Sequence, residues 1–125
     1  MADASAVVAA LLHQGQAREM LSNTPCHAPH LLDLEVASVL RRLCLGSQLE
    51  SGHGAVLLEV LGRLGIRRHE CTGLLGRIWQ LRNNLTTYDA AYFALAEVLD
   101  CPLLTADGKL SNAAPSTCVI HLVPG

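Results

Sequence analysis

Residues 86–92 read Thr86-Thr87-Tyr88-Asp89-Ala90-Ala91-Tyr92 and run on through Phe93-Ala94-Leu95-Ala96-Glu97-Val98-Leu99. Alanine has the highest helix propensity and threonine favours helix starts, so the stretch predicts a helix over Tyr88–Leu99 capped by Thr87. Ala90, Ala91, Ala94 and Ala96 keep its surface low, which suits close packing on neighbouring elements. Asp89 stands in the first turn among small and apolar neighbours. A carboxylate partly buried there is costly unless something compensates its charge.

Three further acids stand in comparable frames: Asp3 in Met1-Ala2-Asp3-Ala4-Ser5-Ala6, Glu35 in Leu32-Asp33-Leu34-Glu35-Val36, and Asp107 in Leu103-Leu104-Thr105-Ala106-Asp107. Met1–Asp3 supplies a stub of strand, followed by a helix over Ala4–Leu12 that Gly15 separates from a second short helix, Gln16–Ser22. A strand of about four residues fits around Cys26-His27-Ala28, between Pro25 and Pro29. His30–Leu45 carries Leu32, Val36, Val39, Leu40 and Leu43 at helical spacing and ends at Gly46. Gly52–Leu64 predicts another helix, with Val56, Val60 and Leu64 spaced by four and Leu57 and Leu61 beside them. Ile66–Glu70 reads as a strand and Thr72–Leu81 as a helix broken by Asn83-Asn84. Cys101–Thr105, Lys109–Ala113 and Cys118–Val123 read as strand, short helix and strand. Strands alternating with helices imply an α/β fold with a mostly parallel sheet.

In such a sheet, ligands bind beyond the carboxyl ends of the strands, where the strand order reverses. Asp3 and Asp107 each follow a predicted strand, while Glu35 and Asp89 open helices, so all four can face one edge. Taken singly, an acid in a first helical turn is also what the helix dipole favours, by about 0.3–1 kcal/mol. Asp33 competes with Glu35 for that dipole role, and Asp89 beside a threonine cap also has a lesser reading as a simple capping partner. Taken together, four carboxylates in a partly dry site repel one another and raise one another's pKa. Hard divalent ions relieve this, and oxygen-only ligation suits Mg²⁺ or Mn²⁺ better than Zn²⁺. Such ions activate water against phosphodiesters, so the chemistry pointed to is phosphoryl hydrolysis.

Length and composition fit this reading. At 125 residues, half of them hydrophobic and only 3% aromatic, the chain is expected to form a single domain over residues 1–125, with an aliphatic core. It has no apolar run of membrane-spanning length and no signal-peptide pattern, and so is expected to be cytoplasmic, with no membrane partner. Five scattered cysteines without a Cys-x-x-Cys pair predict buried free thiols, not disulfides or a zinc knuckle. The formal charge of −2 is unusual for a nucleic-acid protein, but with the four framed acids neutralised the balance turns mildly basic. All the basic residues but Lys109 are arginines, which suit bidentate phosphate contacts, although solvated helix faces look the same. His27-Ala28-Pro29-His30 lacks a third nitrogen or sulfur ligand and reads as a rim loop. Trp79 reads as core or dimer surface.

Asp3-Ala4-Ser5-Ala6, Leu34-Glu35-Val36, Tyr88-Asp89-Ala90-Ala91-Tyr92 and Leu104-Thr105-Ala106-Asp107, in this order over nearly the whole chain, resemble the signature of PIN-domain proteins, and within them the VapC toxins. The resemblance implies a PIN-like three-layer α/β/α fold with a central parallel sheet. It also implies a Mg²⁺- or Mn²⁺-dependent endoribonuclease acting on an RNA substrate, a homodimer, and a VapB-like antitoxin that occupies the active site. Carried over by position, Asp3, Glu35, Asp89 and Asp107 are the catalytic, metal-binding acids. Ser5 and Thr105 are hydroxyls that orient carboxylates or water, or else ordinary turn residues. Only Met1 and Ala2 precede Asp3, which implies either a start further upstream or a clipped central strand that anchors Asp3 poorly. From the clipped strand follows the rival expectation, a PIN-like module without catalysis that binds only antitoxin or RNA.

Overall fold

A computed structural model describes residues 1–125. Helices α1 (Ala4–Leu12) and α2 (Gln16–Asn23) lead to β1 (Cys26–Pro29). Next come α3 (Leu31–Leu45), α4 (Ser51–Arg63) and β2 (Ile66–His69). A 3₁₀ turn (Thr72–Leu74) then leads to α5 (Leu75–Gln80), α6 (Thr87–Leu99), β3 (Leu103–Thr105), α7 (Gly108–Ala113) and β4 (Ile120–Leu122). The strands form two parallel ribbons, β1 with β2 and β3 with β4.

The first three residues join the ribbons. Ala2 bridges Leu104 in parallel, and its N–H donates to the His27 carbonyl at 3.1 Å on the other side. Leu104 N–H donates to Met1 O at 2.8 Å and Asp3 N–H to Leu104 O at 3.1 Å. The ribbons thereby become one parallel sheet, ordered β2, β1, Met1–Asp3, β3, β4. In chain order this is the doubly wound pattern, and it reverses between Met1–Asp3 and β3. Right-handed crossovers assign α1 to α4 to one face and α5 to α7 to the other. The packing agrees with this division, since α1 lies on α2 and α3, α3 on α4, and α5 on α6. No helix is long and apolar enough to cross a membrane.

Burial explains which helices are central. In α6 every residue from Ala90 to Ala96 is buried, and in α1 every residue from Ala6 to Leu11. A helix apolar all round belongs in the interior, and the small alanines let it approach the sheet. Helix α3 buries the Leu32, Val36 and Leu40 stripe and leaves Leu34 exposed.

Several expectations shift. In α4 the buried stripe is Gly54, Leu57 and Leu61, whereas Val56 and Val60 are exposed. That helix is apolar on more than one face, so periodicity alone does not choose the inner one. A Cβ on Gly54 would stand 3.1 Å from Cys44 Sγ, so glycine lets α4 approach α3 closely. The single helix expected over Thr72–Leu81 is a 3₁₀ turn followed by α5. Trp79 is 67% exposed rather than core, with the Arg82 guanidinium 4.7 Å above its ring. All five cysteines are free, as expected, but only Cys26 is fully buried. Pro102 has no N–H to give the ladder, and β3 begins after it.

The cap of α6 is Thr86, one residue earlier than expected: its Oγ1 accepts from Asp89 N–H at 3.1 Å, and Thr87 is the first helical residue. Thr86→Ala is therefore expected to lower unfolding free energy by about 1 kcal/mol in urea titrations, and Thr87→Ala by less than half of that. The reverse ranking would contradict the cap.

Candidate active site

Asp3 ends the central extended segment and caps α1. It is 5% exposed, and its Oδ1 accepts from Ser5 Oγ at 2.6 Å and from Ala6 N–H at 3.0 Å. Its Oδ2 accepts from Thr105 Oγ1 at 2.5 Å. Ser5 Oγ in turn accepts from Ala106 N–H at 2.9 Å, and Thr105 Oγ1 from Asp107 N–H at 3.0 Å. Each hydroxyl has one proton and spends it on Asp3. These bonds tie the start of α1 to the end of β3 across the reversal of strand order. The short strand does not leave Asp3 poorly anchored, because its carboxylate is held by side chains from both neighbouring segments.

Asp107 follows β3 and caps α7, with Oδ1 accepting from Lys109 N–H at 2.9 Å and Leu110 N–H at 3.4 Å. Asp89 lies half-buried in the first turn of α6. Glu35, also half-buried, projects from α3, where its Oε1 accepts from the Tyr92 hydroxyl at 2.7 Å. The competitor Asp33 is engaged elsewhere, accepting two bonds from Arg68, at 2.8 and 3.2 Å, and does not cap the helix. Glu35 is thus free of structural ion pairing.

Asp3, Glu35 and Asp89 each feel the charge of at least one other of the four acids. Burial pushes the Asp3 carboxyl pKa up, and the charge of Asp107 adds to this, against the hydrogen bonds from Ser5, Thr105 and Ala6. Glu35 is raised by burial, then by Asp89 and Asp3, with the Tyr92 bond opposing. Asp89 is raised by burial and by Asp107, with the Thr86 bond opposing. None of the four is paired with an arginine or lysine, since the two ion pairs in the protein are Arg68–Asp33 and Arg77–Glu97. No three of the chain's acids, histidines and cysteines come close enough together to ligate one ion in common. The donor chemistry, hard carboxylate oxygens with no cationic partner, fits a hard divalent ion and not a soft one.

Tyr92 is the residue the sequence reading missed. It lies three positions beyond Asp89, one helical turn away, in the buried run of α6. A tyrosine among alanines needs a partner for its hydroxyl, and that need is the signal that could have found it. The arginines divide evenly. Arg18, Arg68, Arg77 and Arg82 bond to backbone carbonyls or side chains of the protein, whereas Arg41, Arg42, Arg63 and Arg67 are exposed. His27 belongs to β1 instead of a loop, and its Nδ1 lies 2.9 Å from His69 Nε2. The largest cavity, about 810 Å³, lies at the other edge of the sheet, against Cys26 and Ile66, the first residues of β1 and β2. Concavity alone would have pointed away from the acids.

Comparisons with known proteins converge on one family. The PIN domain family model matches residues 1–115. A VapC ribonuclease of Mycobacterium bovis and Ribonuclease VapC9 of Mycobacterium tuberculosis are each 48% identical over 122 residues, covering 98% of this chain and 96% of theirs. Ribonuclease VapC1 of Mycobacterium tuberculosis is 42% identical over 97% of this chain and 95% of its own. The crystal structure of a Pyrobaculum aerophilum protein superposes with a TM-score of 0.69 at 20% identity, covering 95% of this chain and 81% of that one. It shares the fold.

The raised proton affinity of Glu35 has a consequence for stability without metal. A group whose folded-state pKa is raised supports folding below its unfolded value, and that support is lost as pH climbs through the folded value. Glu35→Gln is therefore expected to raise Tm in EDTA by a few degrees at neutral pH. The gain should fade as pH drops below the ordinary glutamate value of 4.5. Thermal scans at the two pH values check this, and equal Tm at neutral pH would contradict the repulsion.

Proposed function

The chain belongs to the PIN-domain family, among the VapC ribonucleases, and on that premise we propose that it is a Mg²⁺- or Mn²⁺-dependent endoribonuclease, the toxin of a toxin–antitoxin pair. The observation that carries the proposal is the set of four mutually repelling carboxylates with no protein counter-ion. Asp3, Glu35, Asp89 and Asp107 are the residues that would hold the ion. When bound, a divalent ion lowers the pKa of a water and offsets the charge that develops on the phosphodiester.

The protein's own residues prepare that chemistry. A carboxylate offers about four lone-pair sites, and three of those on Asp3 are filled by Ser5, Ala6 and Thr105. One site, on Oδ2, remains for a ligand, and the two hydroxyls fix its direction. Asp107 is restrained through its own bonds to α7, and the backbone of Asp89 through the Thr86 cap. Preorganised ligands spare the binding step the cost of ordering them. Arg41, Arg42, Arg63 and Arg67, exposed on α3, α4 and β2, are the arginines available to hold RNA phosphates. A VapB-like antitoxin would silence the enzyme by covering the acids. Exposed Leu75 and Trp79 on α5 suit association of two copies. An enzyme acting on RNA would work in the cytoplasm.

The rival is a PIN module that binds RNA or antitoxin without cutting, and the failure of three acids to converge favours it. Asp89→Asn is expected to abolish RNA cleavage in Mg²⁺ while leaving the folded circular dichroism spectrum intact; undiminished cleavage would remove Asp89 from the site. Mn²⁺ at a hundred times its Kd should add about 2.7 kcal/mol to unfolding free energy, read as a rise in Tm. Absence of any Mn²⁺-induced shift would favour the binding module.

A further inference from the structure

The hydroxyl of Tyr92 has one hydrogen-bond partner, Oε1 of Glu35, at 2.7 Å. The residue is 1% exposed and lies in the run Ala90 to Ala96 that α6 buries completely. A buried phenol needs a partner for its hydroxyl, and one acid oxygen reaches into the core to provide it. The bond spans 57 positions of sequence and connects α3 to α6, the helix that carries Asp89.

From this geometry we infer that Tyr92 is a positioning residue for the divalent-ion site. By holding Oε1, it locks the Glu35 side chain in one orientation and leaves Oε2 as the oxygen offered to the ion. The inference rests on the proposed ion-binding role of Glu35. A half-buried glutamate with three rotatable bonds otherwise samples several orientations, and the lost freedom has to be met when the ion binds. A hydrogen bond from a rigid, buried ring removes that freedom beforehand, as outer-sphere partners of metal ligands generally do. Tyr92 also stands within electrostatic reach of three of the four acids, Glu35, Asp3 and Asp89. Burial and these charges push its hydroxyl pKa well above the ordinary value, so it stays a donor. Its contribution acts through Glu35 and not on the substrate.

The experiment compares wild type, Tyr92→Phe, Glu35→Ala and the double variant. Mn²⁺ affinity is read by titration calorimetry, metal-free stability by thermal scans in EDTA, and cleavage as a function of Mn²⁺ concentration. Tyr92→Phe keeps the ring and removes only the tether. It is expected to weaken Mn²⁺ binding about tenfold, with cleavage restored to the wild-type kcat at saturating Mn²⁺. In the Glu35→Ala background the same change should leave Mn²⁺ affinity unchanged. It should there raise metal-free Tm, because the orphaned buried hydroxyl is removed. A purely structural role would lower Tm in EDTA and leave Mn²⁺ affinity untouched. That result, with wild type binding Mn²⁺ normally, overturns the inference and spares the proposed function. Failure of wild type itself to bind Mn²⁺ overturns both.

Discussion

The buried carboxylate of Asp3 is the constraint on which the rest depends. It sits where the first residues of the chain meet β3, accepting hydrogen bonds from the Ser5 and Thr105 hydroxyls and the Ala6 N–H. The backbone bridges through Ala2 and Leu104 are few, because the central strand is only a few residues long. The side-chain bonds extend that seam past the end of the backbone ladder. They bind the two halves of the sheet together at the point where a doubly wound fold leaves a crevice. One acid therefore both closes the fold and stands where the strand order reverses.

That arrangement sets stability against function. Asp3, Glu35 and Asp89 would each be cheaper to bury if a lysine or arginine stood beside them, whereas Asp107 is exposed, and the protein does use such pairs elsewhere, at Asp33 with Arg68 and at Glu97 with Arg77. Around Asp3, Glu35, Asp89 and Asp107 it withholds them. The neutral donors there, Ser5, Thr105 and Tyr92, satisfy individual oxygens without cancelling charge. Local rules of stability are most often broken at functional sites. Here the breach is a concentration of negative charge that an external cation would relieve.

The helices carry out this arrangement through unremarkable physics. Alanine-rich α6 lies deep in the core and brings Asp89 and Tyr92 in on one face, while α3 buries its Leu32, Val36 and Leu40 stripe and turns Glu35 towards them. Asp3 and Asp107 need no helix to orient them beyond the ones they cap. Three of the four acids thus sit at or near helix starts, where the dipole offsets part of their charge. The fold supplies a modest background of positive potential there.

Much of this was legible beforehand. The order of helices and strands followed from periodicity and from proline, glycine and asparagine breaks. The four acids stood out because their neighbours were apolar, and Ser5 and Thr105 because each lies two residues from an acid. The Val56 and Val60 stripe and the Thr87 cap were misread for one shared reason: local pattern does not say which of several equivalent groups the neighbouring chain will meet. Val56 and Val60 face outwards, Thr86 takes the cap, and Arg68 and Arg77 are consumed by Asp33 and Glu97. The Tyr92 to Glu35 bond was invisible for the same reason, joining residues 57 apart. Sequence alone determined the elements, their alternation and the chemistry of the acidic donors, since propensity and side-chain type are local properties. Only the tertiary structure decided which hydroxyl holds which carboxylate and which acids are left unpaired, because hydrogen bonds and charge repulsion depend on distance through space.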